Sequence, residues 1–231
     1  VPVFRILRAR RRGFRNLGRG VQGIQTRMVG RQAELEALQE TCRAAAAERL
    51  AVTIFGDPGI GKSRLLLEFE NWLDQAALDV QTWRGASRAE LQSTPFALLR
   101  DLVQTAFNLE DGEPPENTQH KLEQGFCQHF ATDGPARAAW VGALLGLALP
   151  PSPHLGAHPA PQEVHDRARR YLLELLQAGP KMPLVFLEDI HWADYSSLSL
   201  LADLAAPGAM RKPGLFIFIS RPTLLERRPT W

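Results

Sequence analysis

Two rhythms of apolar residues run along this chain, one at helical spacing and one in short unbroken stretches. From Gln32 to about Ala47, Leu35, Leu38, Cys42 and Ala45 recur every three or four positions, which predicts a helix. The run Leu50–Phe55 predicts a strand, and Leu65, Leu66, Leu67, Phe69, Trp72 and Leu73 predict a helix from about Lys62 to Ala77. A second strand fits Asp79–Trp83. Between about Ser87 and Pro161 the pattern is helical, with helices expected over Pro95–Phe107, Asn117–Phe130 and Ala136–Leu149. Gly112-Glu113-Pro114-Pro115 and Asp133-Gly134-Pro135 separate them, and the proline-rich stretch from Pro150 to Pro161 predicts a loop. A helix over Gln162–Gln177 gathers Val164, Ala168, Tyr171, Leu172 and Leu175 on one face. Leu184–Leu187 and Leu215–Ile219 have the continuous apolar character of parallel strands covered on both sides. They bracket a helix near Ser196–Leu204. Strands alternating with helices predict an α/β fold with a mostly parallel sheet. The segment at about 87–161 is then a helical insertion.

Composition narrows the class. The 231 residues suffice for one large α/β domain or two small ones, and the net charge of +2 writes no polyelectrolyte partner into the chain as a whole. Charge is uneven, however: Arg5, Arg8, Arg10, Arg11, Arg12, Arg15 and Arg19 fall in the first twenty residues with no acid among them. Such an arm can meet nucleic acid or an anionic membrane, but a solvated linker spanning residues 1–27 is the favoured reading, and direct nucleic-acid binding is not expected. The domain core is expected over 28–231. Val3–Leu7 is a candidate short strand. Cys42 and Cys127 are too few for a disulfide framework and are expected as free thiols in a reducing cytoplasm. No apolar stretch approaches membrane-spanning length. The chain opens on Val1, so it is expected to be a piece of a longer polypeptide.

Candidate chemistry centres on Gly56-Asp57-Pro58-Gly59-Ile60-Gly61-Lys62-Ser63, a G-x-x-x-x-G-K-[ST] match between a strand and a helix. In that context the glycines allow backbone N–H groups to curl around phosphate oxygens, because a Cβ is expected to crowd the bend. The helix N-terminus, with Arg64 in its first turn, adds positive charge. Lys62 is placed to reach phosphate, and the Ser63 hydroxyl to ligate magnesium.

A second element lies about 125 residues downstream, where Leu184-Val185-Phe186-Leu187 ends in Glu188-Asp189. Adjacent carboxylates at the end of a buried parallel strand are costly without a compensating cation, and magnesium on a nucleotide supplies one. One carboxylate then serves the metal and the other orients or deprotonates water. Ser220-Arg221 ends the last apolar run and is a candidate reader of the terminal phosphate. Val29-Gly30-Arg31 precedes the first helix and is a candidate for the adenine side. His191 and Trp192 read as structural residues.

Together, Met28-Val29-Gly30-Arg31, Gly56–Ser63, Leu184–Asp194 and Ser220-Arg221-Pro222 resemble the AAA-type P-loop ATPase module of signal-transduction ATPases with numerous domains. The version it is most similar to lies between class III adenylate/guanylate cyclase domains and tetratricopeptide repeats, with related modules in LuxR-type regulators. The resemblance implies a three-layer αβα P-loop NTPase with strand order 5-1-4-3-2, here lacking the fifth strand and lid, so that reduced stability or self-association through the exposed edge is expected, with pairing of Val3–Leu7 to that edge as the alternative. It implies ATP or ADP with Mg2+ as ligands, Lys62, Ser63 and Glu188 on phosphate and metal, Asp189 on the attacking water and Arg221 on the terminal phosphate. The implied partners are flanking domains of the same chain. The order Glu188-Asp189 reverses the usual acid pair of AAA motors, which suits slow hydrolysis. A small-molecule P-loop kinase and a non-hydrolysing nucleotide scaffold are the alternatives.

Overall fold

The computed structural model describes residues 28–156, 158–206 and 212–231. These divide into two compact units: residues 28–40 with Pro58–Leu78, and Thr41–Asp57 with Asp79–Trp231. Helix α1 (Gln32–Ala44) runs from the first unit into the second and buries Leu35, Leu38 and Cys42. Helix α2 (Lys62–Gln75) lies in the smaller unit, with Leu65, Leu66, Phe69 and Leu73 buried at helical spacing and Phe69 stacked on Trp72.

The larger unit is built on strands β1 (Arg49–Phe55), β2 (Val80–Ala86), β3 (Met182–Glu188) and β4 (Gly214–Ser220). All pair in parallel, in the order β1-β4-β3-β2. This is the implied order without a fifth strand, so among the described residues β1 is a sheet edge. The candidate strand at Val3–Leu7 and the arginine arm lie outside the described residues. Every residue of β4 is buried, as the unbroken apolar run predicts for a central strand.

One face of the sheet carries Trp83, Val185, Leu187, Phe216 and Phe218 into a continuous core. That core is shared by α3 (Ala97–Phe107), α4 (Pro115–Phe130), α5 (Gly134–Leu144), α6 (Pro161–Leu176) and α7 (Tyr195–Ala205). The alternate residues Leu184, Phe186, Leu215 and Ile217 are fully buried as well, so both faces are covered. A short helix α8 (Thr223–Arg227), absent from the periodicity reading, follows β4. Arg227 ties it back by donating to the carbonyls of His191 and Ala193 at 2.6 and 3.2 Å. Trp231 lies edge-on to Phe218 and donates its indole N–H to Thr53 Oγ1 of β1 at 3.1 Å.

Among the described residues the predicted elements are present, with one informative difference. Helix α5 ends at Leu144 rather than near Leu149. Gly146 adopts φ +60°, its N–H reaches the Ala143 carbonyl, and the Leu147 N–H reaches Gly142. That pair of bonds is a Schellman termination, which an apolar periodicity running past the glycine conceals.

Candidate functional site

In the smaller unit, the glycine loop turns directly into α2. Gly59 and Gly61 have φ of +79° and +96°, the left-handed region in which a side chain is strained. A Cβ on either glycine would meet no atom within 4 Å, so it is backbone conformation and not crowding that demands glycine there. This corrects the steric part of the expectation. Gly61 also caps α2 without a side-chain hydrogen bond, and the first turn carries no acid. By contrast α1, α4 and α6 each place a glutamate in their first turn. The α2 N-terminus therefore keeps its positive end uncompensated by its own carboxylates, which fits a phosphate group.

Arg31 sits against this loop. Its guanidinium donates to the Ile60 carbonyl at 3.2 Å and pairs with Glu34 at 2.7 Å. Gly30 turns with φ +76°, leaving Val29 86% exposed. Ser63 is exposed and Lys62 half-buried, while Arg64 pairs with Glu68 one turn on. The sequence made Arg31 a candidate for the adenine side; the structure shows it bracing the loop through the Ile60 carbonyl.

The larger unit brings the strand ends together. Phe55 pairs with Ser220, and the ladder runs one step further as the Gly56 N–H reaches the Ser220 carbonyl at 3.2 Å. Leu187 pairs with Phe218, so Glu188 emerges on the other side of β4 from Gly56. Two strand spacings, about 10 Å, separate β1 from β3, the strands that lead into these residues. Glu188 is half-buried and Asp189 exposed.

Asp189 is in the left-handed region, with φ +52°. It caps a short 3-10 turn, Ile190–Trp192, and its carboxylate is 3.9 Å from the Nδ1 of the buried His191. A non-glycine residue held in that conformation stores strain, and such residues concentrate at working sites. Aspartate tolerates it better than most, which is the one sequence signal available. Arg221 is half-buried at the end of β4, and the Ser220 hydroxyl donates to the Arg221 carbonyl at 3.0 Å.

Arg84 was not anticipated. It pairs with Phe186 in the sheet register, and its guanidinium lies over that ring at 4.5 Å. Burial pulls its pKa down to about 10, and the nearby negative charge of Glu188 opposes the shift. Nothing short of strand register would have paired two residues so far apart in sequence.

Comparison with known proteins bears on this geometry. Residues 27–218 match the AAA ATPase domain family. Over 182 residues, 77% of this chain, the sequence is 30% identical to an uncharacterised protein of Rhizobium meliloti (strain 1021). The match occupies only 17% of that relative's length.

Proposed function

Because the chain belongs to the AAA ATPase domain family, we propose that it binds ATP with magnesium and hydrolyses it slowly, as a nucleotide switch within a longer signalling protein. The observation that carries this reading is the α2 N-terminus, left without a side-chain cap or first-turn acid and preceded by two glycines in left-handed conformations. Backbone N–H groups of the loop bind phosphate oxygens, and Lys62 neutralises their charge. The Ser63 hydroxyl and the Glu188 carboxylate are the groups that would hold the metal, which when bound would offset the negative charge of the phosphates. Arg31 keeps the loop in shape through the Ile60 carbonyl. Val29 and Gly30 border the adenine. Asp189 accepts a proton from, or orients, the attacking water, and Arg221 reads the terminal phosphate.

Slow turnover follows from the shorter acid at the second position of the Glu188-Asp189 pair, which extends less far toward a water than glutamate does. Occupancy then lasts long enough to bias a neighbouring output domain, a cyclase or a DNA-binding regulator. Within the described residues no helix is long and apolar enough to cross a membrane.

The test is calorimetry with MgATP, followed by phosphate release. Lys62→Ala is expected to weaken ATP about 10- to 100-fold, the worth of one charge-assisted contact. Asp189→Asn is expected to retain binding and lose hydrolysis. Binding indifferent to Lys62→Ala would remove the site from the glycine loop. Phosphate release unchanged in Asp189→Asn would remove the water-activating role, and ADP formed only with an added acceptor would identify a kinase.

A further inference from the structure

A cavity of about 420 Å³ lies in the helical insertion, walled by α4, α5 and the loop that follows α5. It exists because of the early end of α5. The Schellman turn at Gly146 sends the chain back across the helix instead of onward. Leu149 then packs down so closely that a Cβ on Gly142 would lie 2.3 Å from its methyl group. The returning loop carries Pro150, Pro151, Pro153 and Pro159, each with its φ locked, and Ser152–Leu155 closes a turn with a 3.2 Å backbone bond.

Its lining is selective. On α5 the wall is Ala138, Ala139 and Ala143, whose single methyls leave the space unfilled. Leu122 and Leu147, both buried, line the cavity as well. Among largely apolar walls stands one ionisable group, the half-buried carboxylate of Glu123. It accepts a hydrogen bond from the Gln119 amide at 2.7 Å and, among the described residues, forms no ion pair with a cation. An apolar cavity of ligand size with a single carboxylate facing it selects an apolar body carrying a positive head, since a neutral head gains less from the carboxylate and an anionic head is repelled.

We propose that this cavity is a binding site for a small organic amine with an aromatic or aliphatic body, separate from the glycine loop and the acid strand end. Binding there does not depend on nucleotide.

The experiment is calorimetry on the full chain, without nucleotide, using phenethylamine, phenethyl alcohol and phenylacetate as probes of one shape and three charges. The amine is expected to bind about tenfold tighter than the alcohol, the worth of one charge-assisted contact, and phenylacetate not at all. Glu123→Gln is expected to erase the difference between amine and alcohol while leaving the alcohol's affinity unchanged. Ala143→Phe, at an exposed position of α5 that lines the cavity, is expected to abolish binding of both with the circular dichroism spectrum intact. Absence of binding by all three probes would overturn the proposal. So would equal affinity of amine and alcohol in the unsubstituted chain, or retention of amine binding in a folded Ala143→Phe chain.

Discussion

The carboxylate of Asp194 accepts a hydrogen bond from the backbone N–H of Phe96 at 2.8 Å, across 98 residues of chain. The same carboxylate accepts from Leu98 at 3.4 Å and caps its own helix through the Ser197 N–H at 2.8 Å. One buried acid thus serves the N-termini of both α3 and α7, while Ser197 Oγ accepts from the Leu99 N–H at 3.4 Å. Phe96 itself is held at φ +59°, a strained conformation that this anchor fixes.

Removing that anchor should be costly. Asp194→Ala loses a helix cap and leaves two further N–H groups without an acceptor, which predicts a loss of about 3 kcal/mol. Asp194→Asn, which keeps one acceptor oxygen, should lose roughly half as much. Urea unfolding followed by circular dichroism measures both, and a loss in Asp194→Ala no larger than that of a surface substitution would refute the double anchoring.

At Asp189, function and stability should pull apart. Glycine accepts φ +52° without strain, so Asp189→Gly is predicted to leave stability unchanged or raise it by up to about 1 kcal/mol. The same substitution should abolish phosphate release. Thermal unfolding and a phosphate assay on one preparation give both readings, and a clear drop in melting temperature would show that the carboxylate is structural.

Arg84 and Glu188 should be energetically coupled, because the guanidinium is desolvated beside a carboxylate on the adjacent strand. Arg84→Met alone leaves Glu188 without its neighbouring cation; in a Glu188→Gln background the same change costs less. A double-mutant cycle is expected to give a coupling of about 1 kcal/mol, and strict additivity would deny the pair.

The two thiols should differ in reactivity. Cys42 is fully buried, and burial pushes its pKa up to about 11, whereas Cys127 is exposed. A thiol reagent at neutral pH should label one cysteine in the native chain and two in denaturant, with Cys127→Ser removing the native signal. Rapid native labelling of Cys42 would mean that α1 opens readily.

Gly146→Ala is predicted to cost about 1 kcal/mol, since its φ of +60° ends α5. Because the Gly146 turn returns the chain over α5 to line the cavity, the same change should weaken amine binding. Calorimetry beside a denaturation curve checks the two together.

The linear sequence determined what depends on near neighbours. Helical spacing along Leu65–Leu73, the unbroken run before Glu188-Asp189 and the glycines of Gly56–Ser63 each act over a few residues, so their consequences were legible. The strand order came from likeness to a family and not from periodicity, because a parallel strand's apolar run is the same in any position of the sheet. Only the tertiary structure decided that Arg84 stands beside Glu188, that Asp194 holds Phe96, and that Asp189 turns left-handed. Those relations depend on register and on closures across many residues, where small differences in packing outweigh local preference. The cavity lies between the two cases: its prolines and alanines are plain in the sequence, but the space appears only once Gly146 reverses the chain over α5.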